Sequence, residues 1–213
     1  VDDNGDTLLY KASYHGYWKI CKLLLVHGAN VDQANQEGET PLYIASLRQH
    51  KRACKILLDH RADVNKIKYN SKRNTDPIFP ELIRWDCEGS PLIAACYGGT
   101  GVCEILLKHG ANVNQANQNG NSPLHVASGR GRDDICALLI KHGANVNKTN
   151  KDGKTPLHIA SSLSCGLGHN ICVLLIKHGA NVNQTDQNGV TPLHNASRRA
   201  INICALLIKH GAN

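Results

Sequence analysis

The chain has 213 residues, a formal net charge of +7 and nine cysteines. Its apolar runs fall short of the roughly 18 residues that a membrane helix needs, so we expect no membrane insertion. An odd number of cysteines and the absence of an apolar N-terminal signal argue against a secreted disulfide framework. We expect a monomer in a reducing compartment, the cytosol or the nucleus.

A His-Gly-Ala-Asn motif recurs along the chain and defines its period. The motif or its variant begins at His27, His60, His109, His142, His178 and His210. The steps are 33, 49, 33, 36 and 32 residues, and such a period is typical of a solenoid. Before each motif lies an apolar segment spaced at three and four residues, which predicts a helix. Earlier still, Thr-Pro-Leu or Ser-Pro-Leu predicts the capped start of a first helix.

These residues resemble the ankyrin repeat family, whose hallmark is Thr-Pro-Leu-His-x-Ala. The resemblance implies an all-α repeat solenoid, in which helix-turn-helix pairs are joined by β-hairpin-like loops. We place one domain over 1–213, with repeats at about 1–32, 33–65, 66–114, 115–147, 148–183 and 184–213. The missing methionine, together with a last segment that repeats residues 135–145, predicts a fragment of a longer protein.

The cysteines and histidines follow the repeat and suggest no chemistry of their own. Six cysteines share one position of the second helix: Cys21, Cys54, Cys103, Cys136, Cys172 and Cys204. Stacked repeats hold such positions too far apart for disulfides, and an apolar core keeps a thiol protonated. There is no Cys-x-x-Cys pair, and a ladder with a single histidine at each equivalent position makes no tetrahedral metal site. We expect no metal, no cofactor and no enzymatic activity.

Two segments depart from the period. The third repeat carries an insertion at 66–85, which contains Phe79 and Trp85. These aromatic residues either pack on the third repeat or present a contact surface to a partner. The loop Ser161 to His169 is also longer than its equivalents, which we interpret as tolerated surface variation.

In the family, ligands lie along hairpin tips and first helices, and this implies a set of protein-binding residues. In the tips these are Asp6, Glu37, Glu39, Asn119, Asn121 and Lys154. Near the first-helix ends they are Tyr14, His15, Leu47, Arg48, Arg130, Arg198 and Arg199, with Phe79 and Trp85 in the insertion. The charges change from acidic to basic along this set, which favours a partner segment of opposite polarity. The alternative is that these residues form an ordinary solvated face.

The resemblance implies a protein-protein interaction module, acting as a scaffold or adaptor. One alternative is a basic solenoid that binds nucleic acid. Another is the substrate-targeting arm of a larger enzyme or ubiquitin-ligase assembly. Nucleic acid is disfavoured because four lysines lie in last helical turns, where a cation complements the helix end, and because 4% aromatic residues provide no stacking platform.

The resemblance also implies possible asparaginyl hydroxylation. The candidates are Asn65, Asn114, Asn147 and Asn183, each with a leucine eight residues before it. We prefer ordinary turn chemistry, in which asparagine satisfies backbone groups.

Overall fold

The computed structural model describes residues 1–68, 88–163, 166–197 and 200–213. These residues form twelve helices and no sheet, and the one bridge between extended segments among them is isolated. The chain divides into two compact units, Val1–Asn112 and Val113–Asn213. Each unit is a stack of three helix pairs, so the predicted all-α repeat architecture is confirmed.

In the first unit, first helices pack on first helices and second helices pack on second helices. Its helices are α1 (Leu8–Tyr14), α2 (Trp18–Val26), α3 (Pro41–Leu47), α4 (Lys51–Asp59), α5 (Pro91–Ala95) and α6 (Thr100–Lys108). Helix α3 packs against α1 and α5, and α4 packs against α2 and α6. First helices therefore form one layer and second helices the other.

The second unit repeats this arrangement. Its helices are α7 (Pro123–Gly129), α8 (Asp133–Lys141), α9 (Pro156–Ser161), α10 (Leu167–Lys177), α11 (Pro192–Ala196) and α12 (Ile201–Lys209). Helix α9 packs against α7 and α11, and α10 packs against α8 and α12. Helix α10 has eleven residues where the other second helices have nine, because it begins inside the lengthened loop.

Hydroxyl side chains begin the first helices, as the sequence predicted. Thr7, Thr40, Ser90, Thr155 and Thr191 each accept a hydrogen bond from the backbone amide three residues later. Proline follows all of them except Thr7. The first repeat lacks the proline and still keeps its cap, so its departure from the motif leaves the helix start intact.

The His-Gly-Ala-Asn motif ends each second helix. Its glycine has φ between +83° and +87°, and the alanine amide bonds to a carbonyl five residues earlier, as in Ala29 to Leu24 at 3.0 Å. This is the Schellman motif, which satisfies carbonyls at a helix end. In five of the six motifs the histidine Nδ1 also lies 2.8 to 2.9 Å from the carbonyl four residues before it. The motif is a helix stop.

The core runs between the two layers of each unit. Fully buried side chains include Leu42, Leu57 and Leu106 in the first unit and Leu124 and Leu139 in the second. The ladder cysteines lie in this core, and Cys204 alone among them is half-buried. All seven cysteines of the described residues are free.

The third hairpin shows where the inserted residues leave the repeat. Asn35 pairs with Glu39 across the second tip through their backbone, and Lys68 pairs with Gly89 in the same way at 3.0 and 3.2 Å. Lys66 also belongs to the framework, since its Nζ lies 3.0 Å from the Asp32 carbonyl. These contacts place Lys66 and Lys68 in the framework of the repeat.

Arg61 stands where the other five motifs have glycine, and its φ is +66°. A left-handed backbone costs a non-glycine residue about 1 to 2 kcal/mol, partly offset because glycine loses more chain entropy on folding. We expect Arg61→Gly to raise the free energy of unfolding by about 0.5 to 1 kcal/mol. The reciprocal Gly143→Arg should lower it. Urea denaturation followed by circular dichroism measures both, and an unchanged or lower midpoint for Arg61→Gly would contradict the expectation.

Candidate binding surface

Each hairpin tip is organised by one Asn or Asp side chain. In the second repeat, Oδ1 of Asn35 accepts hydrogen bonds from the amides of Glu37 and Glu39 at 3.0 and 2.9 Å. The same bonds surround the equivalent side chains of the second unit, which are Asn117, Asn150 and Asp186. This turn chemistry fixes the backbone, so these tips share one backbone and differ in the side chains that they present.

Neighbouring tips are joined by side-chain bonds that engage predicted binding residues. Asn35 Nδ2 donates to Oδ1 of Asp6 at 2.9 Å. In the second unit, Asn150 Nδ2 donates to Oδ1 of Asn121 at 2.9 Å. Asp6 and Asn121 therefore hold adjacent repeats together, a role that the sequence did not reveal.

Glu39, also predicted to face a partner, is the centre of an internal cluster. Its Oε1 lies 2.7 Å from Nζ of Lys68, and the two side chains are only 16% and 10% exposed. The Tyr10 hydroxyl donates to Oε2 of Glu39, and burial, with Glu39 beside it, raises the pKa of Tyr10. Lys68 Nζ also lies 5.3 Å from the Tyr43 ring centroid. A charge buried this far needs such partners, so the Glu39 carboxylate serves the fold.

Three predicted residues of the first unit meet where α1 ends. The Arg48 guanidinium lies 4.0 Å from the Tyr14 ring centroid and donates to the Tyr14 hydroxyl. The His15 ring meets Tyr14 edge-on, with centroids 5.0 Å apart, and stacks on Tyr17 at 5.4 Å. Leu47 precedes Arg48 and is half-buried. Tyr17 is exposed, and sequence reasoning missed it although it lies in the aromatic run that begins at Tyr14.

Gly16 fixes the position of this cluster. Its φ is +72°, and a Cβ there would lie 2.5 Å from Nδ1 of His50. His50 Nε2 in turn lies 3.0 Å from the Tyr14 carbonyl oxygen. The end of α1 is therefore held by the next repeat, and any side chain at Gly16 would displace the His50 ring.

The predicted residues of the second unit lie on its tips and at one helix end. Asn119 is exposed, and its carbonyl accepts from the Lys151 amide of the next tip at 3.0 Å. Lys154 Nζ lies 3.8 Å from Asp152. Arg130 is the C-cap of α7 and is half-buried. Phe79, Trp85, Arg198 and Arg199 lie outside the described residues.

Histidines at the start of the first helices join consecutive repeats. Nδ1 of His125 accepts from the Ser122 amide at 3.2 Å, which places the ring proton on Nε2. Nε2 then donates to the Lys154 carbonyl at 3.0 Å. His158 makes the equivalent contacts with Thr155 and with the Val190 carbonyl. Burial lowers the pKa of His125 to about 4 and also lowers that of His158.

The asparagines considered for hydroxylation form a second ladder between repeats. Their Oδ1 atoms accept a backbone amide of the next repeat at 2.8 to 3.1 Å. Their Nδ2 atoms donate to the carbonyl of the next motif's glycine, at 2.9 Å from Asn147 and 3.4 Å from Asn65. Asp32 holds the equivalent place in the first repeat and accepts from the Asp63 amide. These contacts support the turn-chemistry interpretation.

The described part of the chain contains no group of three or more His, Cys, Asp or Glu side chains placed to hold a metal ion. None of its helices combines the length and apolar character needed to cross a bilayer.

Helix pairs that stack through capped starts, Schellman ends and hairpin tips define a helical repeat protein. A family model described as ankyrin repeats (3 copies) matches residues 1–68, 69–150 and 144–213. The chain belongs to the ankyrin repeat family.

Two solved structures illustrate the similarity. The ankyrin repeat domain of Bcl-3, a member of the IkappaB protein family, is 25% identical, with a TM-score of 0.78 over 97% of this chain and 84% of that one. An ankyrin repeat domain from Acinetobacter baumannii AYE is 28% identical, with a TM-score of 0.77 over 96% and 98%. No curated protein matches the chain significantly.

The buried His125 makes stability depend on pH. Its pKa lies below the usual 6.5, at about 4, so folding favours the neutral ring. The stability that the buried neutral ring contributes is present above pH 6.5 and is lost as the pH falls towards 4. Between pH 7.5 and 5 we expect this loss to lower the free energy of unfolding by about 2 kcal/mol.

The variant His125→Gln tests this, because glutamine can still accept from the Ser122 amide in a capping box and does not titrate. Its urea midpoint should fall less than that of the wild type between pH 7.5 and 5. His142→Gln is the matched control, since the His142 ring is exposed and caps only its own helix. Equal pH dependence in all three proteins would rule out this role for His125.

Proposed function

We propose that this chain is a non-catalytic protein-interaction module, a scaffold or adaptor, that binds a partner protein through hairpin tips and first-helix ends. The observation that carries the proposal is the combination of one tip backbone, set by Asn35 and its equivalents, with side chains that change from repeat to repeat. A surface of constant shape and variable chemistry suits recognition of protein segments, the use that repeat proteins make of their extended faces.

The bonds within the tips narrow the set of residues that a partner would meet. Asp6, Glu39 and Asn121 are engaged between repeats. In the first unit this leaves Glu37 and Leu47, and it leaves Tyr14 and Arg48 with the exposed His15 and Tyr17 beside them. Aromatic and arginine side chains dominate the energetics of known interfaces, so this cluster is the proposed anchor.

In the second unit, Arg130 and Lys154 supply positive charge. Charges of this kind fix orientation and association rate more than affinity. We propose that the second unit binds carboxylates of a partner, and that the aromatic cluster of the first unit binds an apolar partner side chain. Asn119 and Glu37 would contribute polar contacts beside them.

Surface variants test this proposal with matched controls. We expect His15→Ala with Tyr17→Ala, or Arg130→Glu with Lys154→Glu, to reduce capture of partners from cell extract by about tenfold. The controls make the same kinds of substitution at exposed residues away from the tips: Leu167→Ala with Val173→Ala, and Lys141→Glu with Lys177→Glu. Quantitative mass spectrometry compares the captured proteins. Wild-type capture by both tip variants, with unchanged melting curves, would reject the proposal.

We also propose a reducing compartment, the cytosol or nucleus, for this module. The seven cysteines of the described residues are unbridged, and burial raises the pKa of Cys54, Cys136 and Cys172 to about 12. Native protein recovered with disulfides would count against this assignment.

On the family resemblance, we propose that the ladder asparagines can be hydroxylated. A hydroxylase would have to draw the side chain out of its bonds to the next repeat. The Nδ2 bond of Asn65 is longer than that of Asn147, 3.4 against 2.9 Å, so we expect more modification at Asn65. Mass spectrometry of native material reads the added oxygen. Its absence from the peptides of all four asparagines would remove the proposal.

A further inference from the structure

The second helices of the first two repeats carry their charges in reverse order. Cations stabilise the C-terminal end of a helix and are unfavourable at its N-terminal end. Helices α6, α8, α10 and α12 obey this rule, each with a lysine in its last turn. Helices α2 and α4 instead begin with Trp18-Lys19 and Lys51-Arg52 and have no basic residue in the last turn. Helix stability does not account for this placement.

These cations belong to one surface, which we call the α2/α4 basic patch. It consists of five exposed side chains on two helices that pack together: Lys19, Lys22, Lys51, Arg52 and Lys55. Among the described residues none of the five takes part in an ion pair. The same positions of α8 and α10 carry no cation, since they hold residues such as Asp134, Ala137, Asn170 and Val173. The patch is therefore not a product of the repeat.

An aromatic ring links the two helices within the patch. Lys19 Nζ and the Arg52 guanidinium carbon lie 5.6 and 5.5 Å from the Trp18 ring centroid. These cation-π contacts hold both side chains at the junction of α2 and α4. They also engage the ring on which a nucleic-acid base would otherwise stack.

Exposed apolar side chains border the patch on α2. Ile20, Leu23 and Val26 are 46%, 59% and 66% exposed. Val26 stands where four other second helices have lysine and α4 has Asp59, so it too departs from the repeat. Helix α4 shows no large exposed apolar residue. The exposed apolar side chains of the two helices are thus confined to α2, beside the cations, which suits a few partner side chains better than a membrane surface.

We propose that the α2/α4 basic patch binds an acidic protein segment, whose carboxylates face the five cations and whose apolar side chains pack on Leu23 and Val26. Complementary charge across such a surface sets the orientation of the segment. This assignment rests on the chain being a protein-binding module. It uses the second helices, whereas the surface proposed above uses hairpin tips and first-helix ends.

The test uses the whole chain and a synthetic peptide of about twenty residues, rich in glutamate with leucines on one helical face. Fluorescence anisotropy measures the dissociation constant. We expect Lys19→Glu, Arg52→Glu and Lys55→Glu together to weaken binding at least about tenfold. The control triple variant, Lys141→Glu, Lys177→Glu and Lys209→Glu, makes the same change in net charge and should shift the constant less than about twofold.

A second variant, Leu23→Ser with Val26→Ser, separates apolar docking from plain attraction between charges, and we expect it to weaken binding about threefold or more. An equal loss of peptide affinity in the two triple variants would overturn the proposal in favour of net charge alone. Tighter binding of an oligouridylate, or of phosphatidylserine vesicles, would overturn it in favour of nucleic acid or a membrane. Arg130→Glu with Lys154→Glu should leave peptide binding intact. If that variant alone removes it, the patch assignment fails and the tip surface stands.

Discussion

The structure depends on the fact that no repeat is stable by itself. The helices of the described residues have five to eleven residues, shorter than the roughly 12 to 15 at which an isolated helix becomes marginal in water. Each repeat must therefore be held by its neighbours. Burial in the apolar core provides most of the stabilisation between repeats. Polar bonds fix the register, since His125 to Lys154, Asn114 to Asn145 and Asn150 to Asn121 all cross from one repeat to the next.

The polar bonds also decide which residues remain for binding. In the second unit a neutral histidine reaches a backbone carbonyl of the next tip. In the first two repeats a tyrosine occupies the histidine position, and Tyr10 reaches the Glu39 side chain instead. Lys68 then completes the contact. Both devices join a first helix to the following tip, but the second one draws a charged tip residue into the interior.

Much of this was predictable from the sequence. The recurring motif predicted the helix ends, the Thr-Pro-Leu starts predicted the caps, and the cysteine ladder predicted buried thiols. The sequence could not show that Asp6, Glu39 and Asn121 are engaged between repeats, because their partners lie about 30 residues away and depend on tip geometry. In the third tip Lys68 stands where the other tips have Asn or Asp, and only its backbone pairing with Gly89 reveals the equivalence. The reversed charges of α2 and α4 are visible in the sequence once the helix bounds are known.

The Lys68–Gly89 pairing has a consequence for how such a chain can change. Twenty residues separate these two anchors, where three separate Asn35 from Glu39, yet the flanking helices keep the register of the stack. Closing a loop costs only about 0.6 kcal/mol for each doubling of its length. The tip is therefore a position that tolerates insertion. A short turn there can be exchanged for a long segment, or for an entire guest domain, while the surrounding repeats keep their structure.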